Sequence, residues 1–118
     1  LRLTRTAWGK QQENCWICGR RATDTMPLHT HEMARGPARQ AALKEPAAWF
    51  RVCLYDHDNL PDLASCLAYK RHFDRPHFAP AVVASLRGRQ PDSVTLAEID
   101  RAAEQIEFWD ESNVLCFD

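Results

Sequence analysis

Two short clusters, Cys15-Trp-Ile-Cys18 and Cys53-Leu-Tyr-Asp56-His57, constrain this chain more than any other feature. Two thiolates separated by two residues can occupy two corners of one tetrahedron around a metal, and a structural zinc site needs four. The second cluster supplies Cys53 and then, where a fourth cysteine would complete the pattern, Asp56 followed directly by His57. Carboxylate and imidazole both bind zinc, so Cys15, Cys18 and Cys53 can be completed by Asp56 or by His57. The competing reading is that the cysteines simply pack. A lone C-x-x-C also suits a thioredoxin-like redox site, but the βαβ pattern that accompanies one is missing.

The other two of the five cysteines, Cys66 and Cys116, sit in the apolar patterns Leu63-Ala-Ser-Cys-Leu67 and Val114-Leu-Cys-Phe117 and read as small core residues. An odd count argues against a disulfide framework. The first residues, Leu1-Arg-Leu-Thr-Arg-Thr-Ala, lack the apolar stretch of a secretory signal, so the expected compartment is a reducing cytoplasm. No apolar run approaches the ~18 residues of a membrane helix, and no membrane partner is expected. Charge is divided unevenly. Residues 1–51 carry nine Lys or Arg against four acids, whereas residues 90–118 carry one Arg against eight acids. A basic front suits a polyanion; an ordinary solvated surface with an acidic tail is the alternative.

Periodicity predicts an α+β chain, mostly helical, with one short antiparallel hairpin. Residues 1–14 read as an extended or loosely structured arm, and Cys15 to Arg21 as a knuckle with Gly19 at its turn. Thr23 to Arg35 is a candidate hairpin with Pro27 near its bend. In it Leu28, Thr30 and Glu32 alternate with His29, His31 and Met33, which puts both histidines on one strand face. Helices are expected over Ala38 to Glu45, stopped by Pro46, and from a cap at Asp58 or Asn59 to about His72. Further helices are expected from a cap at Asp74 over about Pro76 to Arg87, closed by Gly88, and from the capping box Thr95-Leu-Ala-Glu98 to about Asp110. Trp8, Trp16, Trp49 and Trp109 read as packing residues, with Phe50 and Val52 in the core. The expected organisation is a single domain: an arm over 1–14, a metal module over 15–90 and an acidic C-terminal helix over 91–118 packed on it.

The segment Leu28-His-Thr-His-Glu-Met33 carries the second chemical signal. Histidine is the usual general base near neutral pH and a common metal ligand. Hydrolysis of a phosphodiester needs a base for water and a cation for the charge on the phosphate. His31, Glu32 and His57 contain groups for both.

The order of these features resembles the HNH family of His-Me finger, or ββα-metal, nucleases. His31-Glu-Met-Ala-Arg-Gly36 is similar to that family's His-Glu-Ile-x-Arg-Gly variant in phage and bacterial proteins, and Cys53 to His57 is similar to its C-x-x-C-H. Leu67-Ala-Tyr-Lys70 and Arg87-Gly-Arg-x-Pro91 resemble the C-terminal part of such phage proteins. The resemblance spans about residues 13–100. It implies a two-stranded hairpin and a helix around one catalytic divalent metal, such as Mg²⁺, Mn²⁺ or Ni²⁺. It also implies a zinc knuckle stapling the two together, DNA as partner and hydrolysis of its phosphodiester bonds. The setting it implies is the cytoplasm of a bacterial or phage-infected cell. By position, His31 is the water-activating base or the first metal ligand, and Glu32 takes or supports the other role. His57 is a catalytic-metal ligand, and His29 is a spare ligand on the same face. Arg35, Arg39, Lys44, Lys70 and Arg71 flank the site and are candidates for phosphate contacts. The chain departs from the family at two points: it has no Asn between Gly36 and Cys53, and Asp56 replaces a cysteine. These departures fit a second class of function, a zinc module that binds nucleic acid or a protein partner without cleavage.

Overall fold

The computed structural model describes residues 2–110. Its elements run α1 (Arg5–Gln11), β1 (Leu28–Glu32), α2 (Ala38–Ala42), a 3₁₀ turn (Pro46–Ala48), β2 (Trp49–Cys53) and α3 (Leu54–His57). There follow α4 (Leu63–Phe73), a second 3₁₀ turn (Arg75–His77), α5 (Pro80–Leu86) and α6 (Leu96–Glu104). The architecture is α+β and mostly helical, with one small antiparallel sheet, as the periodicity predicts. None of the described helices is long and apolar enough to cross a membrane.

The sheet pairs β1 with β2 in the register Leu28↔Cys53 to Glu32↔Trp49. This differs from the expected hairpin within Thr23 to Arg35, whose first half forms a turn closed by reciprocal Thr23 and Met26 backbone hydrogen bonds. The reason lies in β2. Trp49, Phe50, Val52 and Cys53 are aromatic or small apolar residues with no exposed surface, and a strand buried on both faces must pair its backbone inside the protein. The strand carrying the histidines is the available partner.

Residues 5–11 are helical rather than an extended arm. Thr4 caps α1 by accepting from the Ala7 N–H, and Trp8 is fully buried, so a cap and an apolar anchor hold the segment. Trp8 stands edge-on to Trp16 at 5.6 Å and tilted against Trp49 at 5.7 Å, so three of the four tryptophans form one core cluster.

Lys70 lies inside this cluster and has no exposed surface. Its ammonium donates to the Pro46 carbonyl (2.7 Å), the Trp49 carbonyl (2.8 Å) and Asp74 Oδ2 (2.8 Å), and it sits 4.9 Å from the Trp8 ring centre. The sequence-based role of Lys70 as a phosphate contact is therefore corrected: it is a buried tie between α4 and β2. Asp74 likewise does not cap a helix over Pro76 to Arg87; it ends α4 and leads into the 3₁₀ turn, with its side chain turned inward. It accepts from Lys70 and from Trp8 Nε1 (2.9 Å), and its other oxygen lies 2.9 Å from His77 Nδ1. The helix placed over Pro76 to Arg87 consequently begins only at Pro80, after the 3₁₀ turn.

Two other boundaries move. The cap of α4 is Asp62, which accepts from the Ser65 N–H (3.0 Å), rather than Asp58 or Asn59, because residues 54–57 form the separate short α3. Thr95 caps α6 as expected, but that helix ends at Glu104. Ile99 on α6 is fully buried, and Arg71 on α4 pairs with Asp100 at 2.6 Å, which fastens the two helices. Cys66 is buried, as its pattern predicts; Cys116 lies outside the described residues.

Candidate metal centre and histidine groove

The knuckle is set by backbone hydrogen bonds from Gly19 N to Cys15 O (2.9 Å) and from Cys15 N to Arg20 O (2.8 Å), with Asn14 and Arg21 bridged across its base. Gly19 is required twice over. Its φ of +82° suits glycine, and a Cβ there would lie 2.9 Å from the Trp109 ring that covers the turn. The Trp16 N–H donates to the Arg51 carbonyl (3.0 Å), which docks the knuckle beside the end of β2. At that end Cys53 takes the N-cap position of α3, and Asp56 falls in the first turn of the same helix.

This brings Cys15, Cys18, Cys53 and Asp56 together, with one ligand atom from each, all within 4.8 Å of one another. The Cys18 and Cys53 sulfurs are 3.8 Å apart, and Asp56 Oδ2 lies 3.2 Å from both Cys15 Sγ and Cys53 Sγ. A tetrahedron with Zn–S bonds of about 2.3 Å has sulfur–sulfur edges of about 3.8 Å, and a Zn–O bond of about 2.0 Å gives sulfur–oxygen edges of about 3.5 Å. The four residues thus have the chemistry and the spacing to hold a metal. A hydrogen bond from Cys18 lowers the Cys15 thiol to about 7, whereas burial pushes the Cys53 thiol up to about 11. A cation at the centre would favour the thiolate form of both.

Of the two residues able to complete the cluster, Asp56 is in it and His57 is turned away. The His57 ring lies 5.2 Å from His31 and 5.9 Å from His29, centre to centre. Adjacent residues on α3 therefore serve two places: the carboxylate faces the thiols, and the imidazole faces the histidine-bearing side of β1. His31 is half-buried, and burial, reinforced by His57, lowers its pKa below the ordinary histidine value, so the ring is neutral at pH 7.

Glu32 follows His31 directly, and strand alternation turns it the other way, with Leu28 and Thr30. Its carboxylate is held by Arg5 at 3.2 Å, and the same guanidinium donates to the Thr30 carbonyl. Arg5 on α1 thus fixes Glu32 at the edge of the sheet.

The three histidines and Glu32 open onto a groove of about 540 Å³ along β1, also lined by Arg5, Lys10, Arg39 and Arg51. Four cations against one acid make its potential positive. Of the residues proposed for phosphate contacts, Arg39 lines the groove, Arg35 and Lys44 are exposed outside its lining, Lys70 is buried in the core, and Arg71 is engaged by Asp100. The sequence reading missed Arg5, Lys10 and Arg51. A signal was present for the last: Arg51 is the single polar side chain in Trp49-Phe-Arg-Val-Cys53, an otherwise buried strand. Comparison of the chain with family models, with curated proteins and with solved structures finds no match.

Proposed function

We propose that this protein is a metal-dependent, HNH-like endonuclease that hydrolyses phosphodiester bonds in DNA. The observation that carries the reading is the facing of the His31 and His57 rings across the β1–β2–α3 unit, at the floor of a cationic groove. Structural zinc would rest on the Cys15, Cys18 and Cys53 thiolates and the Asp56 carboxylate, tying the knuckle to α3. A divalent ion such as Mg²⁺, Mn²⁺ or Ni²⁺ would be held by His57 and a ligand from the 29–32 strand. It would supply charge stabilisation to the phosphate and the leaving oxygen. His31 accepts a proton from water as the water oxygen bonds to phosphorus. The P–O bond to the leaving oxygen breaks, and that oxygen is protonated by solvent. Arg39 and Lys10 hold the flanking phosphates.

The test is nicking of supercoiled plasmid in each of the three ions, with His31→Ala as the matched variant. Cleavage by wild type that disappears in His31→Ala is the expected result; plasmid left intact in all three ions contradicts the reading. One observation favours a second reading. Arg5 already holds Glu32, the only carboxylate among the described residues that line the groove, which leaves the imidazoles as the other ligand side chains there. A zinc module that binds without cutting would give duplex binding with a salt slope and no nicks. A module for a protein partner would give binding insensitive to competing DNA.

A further inference from the structure

Arg51 is placed with more care than a salt bridge or a solvated surface residue requires. It rises from the middle of β2, half-buried, in register with Thr30. Its Nε donates to the Gln12 carbonyl (3.1 Å) at the end of α1, and its Nη1 donates to Thr30 Oγ1 (2.9 Å). Beneath it α1 carries Gly9, where a Cβ would stand 3.1 Å from Arg51 Nη1 and 3.4 Å from Arg51 Cζ. Glycine inside a helix is less favourable than alanine, and here it lets the guanidinium lie against the helix.

Two of the five N–H donors of the guanidinium are thus used on neutral oxygens. Among the described residues no carboxylate pairs with it. Of the acids that line the two cavities Arg51 reaches, Glu32 is held by Arg5 and Glu13 by Arg21. A half-buried cation with its plane fixed and its charge unmatched is an anion site in its chemistry. Arg51 and Lys10 both line the histidine groove and also an adjoining cavity of about 230 Å³. They therefore stand where the two meet.

We infer that Arg51 and Lys10 form a phosphate seat for the nucleic-acid backbone, on the opposite side of the β1 edge from the histidines, with α1 as its wall. This rests on the nucleic-acid part of the function proposed above and names residues that position the substrate, none of which touches the reacting bond. The partner is a duplex whose backbone crosses the edge of β1, with one phosphate on Arg51 and Lys10 and the next stretch lying over His31 and His57.

The experiment is fluorescence anisotropy of a labelled DNA duplex against salt concentration, with the full chain. Each lost phosphate contact lowers the slope of log K against log salt by about 0.9. Arg51→Gln and Lys10→Ala are each expected to weaken binding severalfold and lower the slope by about that amount. Lys44→Ala, an exposed cation outside both cavities, is expected to leave the slope unchanged. Because Arg51→Gln also removes bonds to α1, its thermal melt is recorded alongside; Lys10 is exposed, so Lys10→Ala keeps the test decisive if Arg51→Gln is unfolded. Equal slopes for wild type and Lys10→Ala overturn the inference, as does an equal loss in Lys44→Ala or an absence of duplex binding by wild type. The two claims fail separately. Wild type that nicks plasmid while Lys10→Ala binds like wild type refutes the seat alone. Wild type that binds through Lys10 and never nicks refutes the nuclease alone.

Discussion

Replacing Lys70 by methionine separates a buried tie from a phosphate contact. The substitution keeps most of the side-chain volume and removes the ammonium. It takes the ammonium from the Trp49 carbonyl, leaves the Pro46 carbonyl with only the Trp49 N–H, and leaves Asp74 without its cation, although Asp74 keeps Trp8 Nε1 and His77. Each buried polar group left unsatisfied costs about 1–3 kcal/mol, and breaking a buried ion pair from one side costs about 3–5 kcal/mol. Since Lys70 is fully buried, solvent does not replace the lost partners, and a loss of about 3–5 kcal/mol is expected. At about 4 °C per kcal/mol for a chain of this size, that is a fall in melting temperature of at least about 12 °C.

The assay is denaturant unfolding of wild type, Lys70→Met, Asp74→Asn and the double variant. Because the two groups share one network, the double variant should cost less than the two singles together, by about 1–3 kcal/mol. Below the melting range of Lys70→Met, the salt slope of DNA binding should equal that of wild type. A cost under about 1 kcal/mol, or strict additivity in the cycle, would refute the burial argument. A slope lowered by about 0.9 would return Lys70 to the phosphate contacts.

Four further outcomes are expected. The pH profile of nicking should have its acidic limb below the ordinary histidine range, because burial and His57 depress His31, which acts only when neutral; a limb above pH 7 contradicts this. By linkage the same depressed pKa leaves stability unaffected above about pH 6.5 and lowers it as pH falls from there through the folded value, where the unfolded chain binds the extra proton. Gly19→Ala should destabilise by about 1–2 kcal/mol from backbone strain alone, with more from the contact with Trp109; the Trp109→Ala background should recover only the contact part, and full recovery would show that φ at Gly19 is not the constraint. Stripping metal with a chelator should lower the melting temperature and expose Cys15 and Cys18 to thiol reagents, with Cys66 still protected in the folded fraction; unchanged melting would show that the cluster carries no structural ion.

The features legible in the sequence were those written in short-range chemistry. The C-x-x-C turn, the alternation that puts His29 and His31 on one face, the Thr95 cap and the burial of Trp49, Phe50 and Val52 all follow from spacing of a few residues. What was not legible depended on pairings across the chain. The partner of β1 could not be read from the segment around Pro27, because the need for pairing belongs to β2, which is distant in sequence. Lys70 has the composition of an exposed helix residue, and only the arrival of Asp74 and two carbonyls around it makes burial affordable. The choice between Asp56 and His57 was likewise open in the sequence, since either side chain can bind zinc. The short α3, starting at Cys53, turns one toward the thiols and the other toward His31. Arg51 went unread because its partners, Gln12, Thr30 and Gly9, come from two other elements.

The division of labour between Asp56 and His57 is the centre of this account, and zinc X-ray absorption with elemental analysis on wild type, Asp56→Ala and His57→Ala tests it most directly. The account predicts one zinc per chain, bound by three sulfurs at about 2.3 Å and one oxygen at about 2.0–2.2 Å. It predicts the same spectrum and stoichiometry in His57→Ala, and weakened or lost zinc in Asp56→Ala. Zinc retained by Asp56→Ala and released by His57→Ala would contradict it, and so would wild-type protein that holds no zinc.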